Sequence, residues 1–227
     1  MTVPSLTIDI VSDVMCPWCY IGKKRLEAAL KEVGSEIAVD VRWRPYQLDP
    51  TLPKQGKDRK QYMEDKFGGP DGAEKAYANV RAAGAAEAIP FAFEKIPVSA
   101  NTFDAHRLIR WAGSLGTAAQ DAVVDALFKA YFEDGKNIGD DRVLIEAGRQ
   151  AGLETEVVER LLAGDADRDA VEAEIDQARQ MGVTGVPCFI IDMKYAVVGA
   201  QPADALVDAM RRIAADKASQ PSGPEAD

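Results

Sequence analysis

Apolar and polar positions along this chain change period several times, and each change marks an element. Leu6, Ile8, Ile10 and Val11 form a short apolar run closed by Ser12-Asp13, which predicts a strand. Over residues 17–33 the period lengthens: Gly22, Leu26, Ala29, Leu30 and Val33 recur at helical spacing on one face. Pro17 suits the first helical position, where no N–H is needed, and Gly34 is placed to cap the far end. Ile37, Val39, Val41 and Trp43 then alternate with Ala38, Asp40, Arg42 and Arg44, the period-2 signature of a second strand. A helix of that length between two strands predicts a βαβ unit with parallel strands.

Pro45, Pro50, Pro53 and Gly56 interrupt the pattern. From 57 to 182 the periodicity is helical, with no convincing strand, and predicts helices near 57–67, 71–87, 102–114, 117–133, 140–151, 154–163 and 167–181. No fixed-period repeat runs through this block, which argues against a solenoid. After Gly182 the strand signal returns. Phe189 to Ile191 and Tyr195 to Val198, separated by Asp192-Met193-Lys194, predict a hairpin. Gln201-Pro202 opens a last helix with Leu206, Val207, Met210 and Ile213 on one face, and residues 219–227, polar and rich in Pro and Gly, predict a disordered tail.

At 227 residues the chain is long enough to bury a substantial core. A net charge of −10 opposes nonspecific nucleic-acid binding, which depends on neutralising phosphates with Lys and Arg. No basic segment followed by a long apolar stretch opens the chain, so no secretory signal is expected, and no run approaches the roughly 18 apolar residues that cross a bilayer. Three cysteines are too few and too odd for a secreted disulfide framework; a cytoplasmic protein is expected. The chain lacks a Gly-rich phosphate loop, so no bound nucleotide cofactor is expected.

The cysteines carry the chemistry. Cys16-Pro17-Trp18-Cys19 lies between the first strand and the first helix. Thiol–disulfide exchange needs an ionised, accessible attacking sulfur. Cys16 falls at the N-cap, where free backbone N–H groups and the helix dipole favour a thiolate. Cys19, one turn further in and less exposed, is placed to attack the mixed disulfide and release the partner. A zinc knuckle would need a second Cys or His pair, and only Cys188 and His106 remain, far apart; no metal is expected. Asp13, three residues before Cys16, has two readings: a buried proton acceptor for Cys19, or a turn residue. His106 borders the apolar face of Ala105, Leu108, Ile109 and Ala112, as a structural histidine or one facing the site. Cys188 reads as a buried strand residue or as a third thiol able to pair with Cys16 or Cys19. Lys23, Lys24 and Arg25 read as a solvated helix face.

The order β-α-β, helical block, α-β-β-α becomes a thioredoxin-like core when the block is removed. The whole resembles the DsbA-type α/β fold: a thioredoxin-like domain from residues 1–52 and 180–218 with an all-helical insertion over 53–179. The local motifs resemble the FrnE-type subfamily: Ser12-Asp13 before Cys-Pro-Trp-Cys and Tyr20-Ile21-Gly22; Trp43-Arg44-Pro45-Tyr46-Gln47-Leu48-Asp49-Pro50; Asn101-Thr102 with Ala105-His106-Arg107-Leu108; Gly182-Val183-Thr184-Gly185-Val186-Pro187; and Val198-Gly199-Ala200-Gln201-Pro202. The resemblance implies a cis Val186–Pro187 bond beside the thiols. There Pro187 would exclude metals, and Pro17, Trp18 and the Val186 backbone would receive an extended substrate. Strongly oxidising relatives carry His where this chain has Trp18, so a less stabilised thiolate and a less oxidising couple are expected here.

The implied activity is dithiol–disulfide exchange on protein or small-molecule disulfides or thiols, without a bound cofactor, with glutathione as a co-substrate or a thioredoxin-type reductant as partner. The alternative is a glutathione-dependent isomerase or transferase, similar to 2-hydroxychromene-2-carboxylate isomerase and the kappa-class transferases. In those a Ser commonly stands at the position of Cys16. A further rival is a binding module whose helices grip unfolded chains, the thiols being incidental.

Overall fold

A computed structural model describes residues 3–219. The expected tail over 219–227 lies outside these residues apart from Ser219, which ends a helix.

Strand β1 (Ser5–Ser12) and strand β2 (Ala38–Pro45) flank helix α1 (Pro17–Val33) and pair in parallel, from Ser5 opposite Ala38 to Ser12 opposite Pro45. Strands β5 (Cys188–Ile191) and β6 (Tyr195–Val198) form the hairpin, and β5 runs antiparallel to β1, giving the sheet order β2-β1-β5-β6. Helix α9 (Ala203–Ser219) packs beside α1, burying Leu206, Val207, Met210 and Ile213.

Between β2 and β5 run α2 (Arg59–Phe67), α3 (Pro70–Ala86), α4 (Phe103–Gly113), α5 (Thr117–Phe132), α6 (Asp141–Gln150), α7 (Thr155–Leu162) and α8 (Arg168–Gln180). The block also holds a strand pair that its periodicity hides: β3 (Lys57–Asp58) pairs antiparallel with β4 (Val98–Ser99). Two residues per strand are too few to show alternation, and the partners lie far apart in sequence. Their approach needs a bare backbone at Gly56, φ +75°, where a Cβ would lie 2.6 Å from the Ser99 carbonyl oxygen.

The helical block joins the sheet domain through one continuous core. Tyr20 of α1 stacks on Phe128 of α5 at 5.0 Å between ring centroids and donates to Glu133 at 2.7 Å. Trp43 Nε1 donates to Asp121 of α5 at 3.0 Å. Lys23 takes part in the same junction, which corrects its reading as a solvated residue. It is 3% exposed, paired with Glu27, with Asp121 at 3.1 Å and with Asp125 at 3.3 Å, because α5 packs over the face of α1 that carries it. Arg107 is 1% exposed and donates to three carbonyls, Leu161, Gly164 and Ala166, and to Asp104, tying α4 to the α7–α8 connection.

Candidate active site

The turn that leaves β1 is built by Asp13. Its Oδ1 accepts from the Met15 amide at 3.2 Å, its Oδ2 from the Leu48 amide at 2.8 Å, and its carbonyl from the Cys16 amide at 2.9 Å. This short polar residue therefore closes the turn and fixes the β2–α2 connection against it. His106 of α4 reaches the same turn: Nε2 bonds the Tyr46 carbonyl at 2.8 Å and stands 3.7 Å from Asp13 Oδ1. Asp13 and His106 are fully buried neighbours, brought together from distant parts of the chain.

Cys16 is the N-cap of α1, with extended backbone (φ −92°, ψ 113°) and Pro17 following. Its side chain makes no capping bond to the helix; instead the thiol donates to the Val186 carbonyl at 3.7 Å. Cys16, Cys19 and Cys188 are all free thiols. Cys16 was expected to be exposed, yet the residue is only 4% exposed, with the Val186 loop against its sulfur; Cys19 is 1% exposed. Trp18 projects beside them at 39% exposure.

Burial pushes the Cys19 thiol well above its ordinary range, and the hydrogen bond and charge of Cys16 push it further; the Ser12 hydroxyl and an Asp13 backbone bond act in the other direction. Burial and the neighbouring sulfur thus favour the protonated form of Cys19.

The Val186–Pro187 peptide bond is cis, and Pro187 is buried against α1. A Cβ added to Gly22 would lie 2.9 Å from Pro187 Cγ and 3.3 Å from Phe189 Cζ. The periodicity places Gly22 on the buried face but does not show that its missing side chain seats the proline loop.

Cys188 is not brought to the site. Side chains alternate along β5: Phe189 packs toward α1, whereas Cys188 and Ile190 pack on the opposite face with Val11, Ala178 and Val183. Burial alone raises its pKa, which keeps it a thiol. The pleat of the strand thus turns the Cys188 side chain to the face opposite Phe189. Ser12, which the sequence shows only as the partner of Asp13 in the motif before the cysteines, is buried in the turn with no hydrogen-bond partner for its hydroxyl among the described residues. Among the described residues no cluster of three or more His, Cys, Asp and Glu side chains is arranged to hold a metal ion.

Residues 7–211 match the family of DSBA-like thioredoxin domains. A probable DsbA oxidoreductase from Streptomyces coelicolor is 33% identical, with a TM-score of 0.86 over 98% of this chain and 94% of that one. A 2-hydroxychromene-2-carboxylate isomerase shares the fold at 17% identity, with a TM-score of 0.71 over 93% and 98% of the two chains. So does the cytosolic disulfide reductase DsbM from Pseudomonas aeruginosa, at 19% identity and a TM-score of 0.62 over 91% and 99%; DsbM has also been solved with GSH.

Proposed function

The chain belongs to the family of DSBA-like thioredoxin domains, and from that premise we propose that it is a dithiol–disulfide oxidoreductase cycling Cys16 and Cys19 between thiols and a disulfide. The observation that carries the reading is the asymmetry of the pair. Cys16 starts α1 with its thiol turned to the Val186 carbonyl rather than to the helix amides, while burial and the neighbouring sulfur favour the protonated form of Cys19.

In the reductive direction the Cys16 thiolate attacks a substrate disulfide, forming a Cys16–substrate bond and expelling one substrate thiolate. Cys19 then loses its proton and attacks Cys16 Sγ; the Cys16–Cys19 bond forms, and the second substrate thiolate leaves. The pair has lost two electrons and the substrate has gained them. Pro17, Trp18, Val186 and Pro187 are the residues assigned to the substrate in this reading, with the Val186 carbonyl at the Cys16 sulfur. The half-exposed Trp18 ring offers an apolar surface, and the Val186 backbone offers strand-like pairing to an extended segment. Glutathione or a thioredoxin-type protein would return the electrons, a reading supported by the solution of DsbM with GSH.

The setting we propose is the cytoplasm, where a pair poised for reduction has a thiol supply; among the described residues no helix is long and apolar enough to cross a membrane. The Ser12-to-Cys19 and Trp43-to-Pro50 motifs support placement in the FrnE-type subfamily. The helical insertion over 53–179 would then form the wall facing the thioredoxin-like part.

Insulin reduction by wild type and by Cys16→Ser tests the proposal. Loss of turnover in the variant is the expected result, and equal rates in the two would refute it. The likeness to 2-hydroxychromene-2-carboxylate isomerase keeps a second reading, in which Cys16 activates bound glutathione and Cys19 is dispensable. Full glutathione-dependent isomerisation by Cys19→Ser, with no insulin reduction by wild type, would select it.

A further inference from the structure

A cavity of about 880 Å³ opens between β2, α4, α5 and α7, a size typical of small-molecule sites. Neither cysteine of the pair nor Pro187 lines it, so it is separate from the substrate face. Ile109, Val124 and Val158 are buried in its wall, and it reaches the surface beside Leu115, which is 60% exposed. Two indoles, Trp43 and Trp111, complete the apolar lining. Each is pinned by its N–H, Trp43 to Asp121 at 3.0 Å and Trp111 to Asp167 at 2.9 Å, so the rings are held in place and offer aromatic surface without a free donor.

Most of the polar groups around the cavity are already engaged. Gln120 accepts from the Trp43 amide at 2.9 Å and donates to the Trp43 and Ile109 carbonyls at 3.3 and 3.4 Å. The three arginines on the lining are each matched: Arg42 with Asp40 at 2.7 Å, Arg44 with Asp9, and Arg110 with Asp167 at 3.3 Å and with Glu174. Glu154 adds a further negative charge.

Two buried groups are left over at one end. His106, 3% exposed, has Nε2 at 2.8 Å from the Tyr46 carbonyl, which can only accept, so the ring proton is assigned to Nε2. Nδ1 is then an acceptor, and among the described residues no donor meets it. Ser12, also on the lining and 3% exposed, has a hydroxyl without a partner among those residues. The two are neighbours through Tyr46, whose amide donates to the Ser12 carbonyl at 3.0 Å while its own carbonyl meets His106. A buried acceptor left open beside a cavity calls for a donor from outside the chain.

We propose that this cavity binds an uncharged aromatic molecule carrying one N–H or O–H donor, with its ring on the wall of Trp43 and Trp111 and its donor on His106 Nδ1. A charged ligand would lose its hydration and find no free counter-ion on the lining. An aliphatic one would forgo the aromatic contacts. The site makes no use of the thiols, so the inference does not rest on the dithiol reading.

Indole is the probe, with 1-methylindole as the same ring without its donor and indole-3-acetate as a charged counterpart. His106 is the chain's single histidine, so its ring-nitrogen NMR signals can be followed in the intact protein. Indole should saturate one site in calorimetry, with a Kd of about 1 mM or tighter, and shift the His106 Nδ1 signal. 1-Methylindole should bind about two- to tenfold more weakly, the worth of one hydrogen bond, and indole-3-acetate more weakly again. Val157→Trp, which fills the cavity from α7, should weaken indole binding at least tenfold by occlusion while keeping a urea midpoint close to wild type. Cys16→Ser should bind indole as wild type does. An absence of saturable indole binding, equal affinity for all three probes, or undiminished binding in Val157→Trp overturns the proposal, and none of these results bears on the dithiol reading.

Discussion

Gly22→Ala sets two well-measured effects against each other. In a helix interior the replacement should stabilise by about 0.8–1.0 kcal/mol through backbone entropy. Here the new Cβ would stand 2.9 Å from Pro187 Cγ, whereas carbon atoms pack best at about 3.5–4.0 Å. The overlap of roughly 0.6 Å cannot be relieved by rotating a side chain, because the Pro187 ring is part of its backbone. Phe189 Cζ at 3.3 Å closes the other side. Overpacking of this kind costs about 1–3 kcal/mol, so the net expectation is a loss of about 0–2 kcal/mol. The site should suffer more than the fold. Pushing Pro187 outward moves the Val186 carbonyl from its place 3.7 Å from Cys16 Sγ, and since a misplacement of about 1 Å can cost on the order of a hundredfold in rate, a several-fold to roughly tenfold loss is expected. Urea titration reads the first quantity and insulin reduction the second. A variant about 1 kcal/mol more stable than wild type, with unchanged turnover, would show that α1 does not seat the proline loop.

Arg107→Met should cost about 1–3 kcal/mol in a urea titration, because it removes the charged donor that Asp104 and three part-buried carbonyls share; a loss below about 0.5 kcal/mol contradicts the account of the α4 tie. Lys23→Met should cost about 1–3 kcal/mol at neutral pH, discounted because the three carboxylates around the ammonium are nearly half-exposed and can be solvated. Burial draws the Lys23 pKa down, but Asp121, Glu27 and Asp125 outweigh it and the net direction is up. A raised lysine contributes stability that is complete below its unfolded value of about 10.4 and fades as pH rises through the folded one. The gap between wild type and Lys23→Met should therefore narrow above that pH, and a gap that widens there refutes the cage. Cys188→Ala should leave insulin reduction unchanged, and mass mapping of oxidised wild type should find only the Cys16–Cys19 bond; any linkage through Cys188 contradicts its placement on the far face of β5.

Much of this arrangement can be read along the chain because it depends on local rules. The periods of two and 3.6 locate the four main strands and the helices to within a few residues, since each element must turn one face to a core. The placement of Cys16 at the end of a strand and the start of a helix needs only Pro17 and the apolar face behind it. Other features depend on partners far apart in sequence, where no period reaches. The strands β3 and β4 exist only as a pair. Lys23 looks like a surface residue until α5 is laid across it.

By itself, then, the sequence determined the order of elements, the Cys-Pro-Trp-Cys spacing and which of its two cysteines starts the helix, all consequences of backbone geometry and spacing. Only the tertiary structure decided which groups answer that pair. It turned Cys188 away by the pleat of β5 and committed the Asp13 carboxylate to two amides. It also drew β2, α4, α5 and α7 around one cavity beside Ser12. Those are matters of long-range packing, and packing is settled by the fit of whole elements rather than by any pattern along one of them.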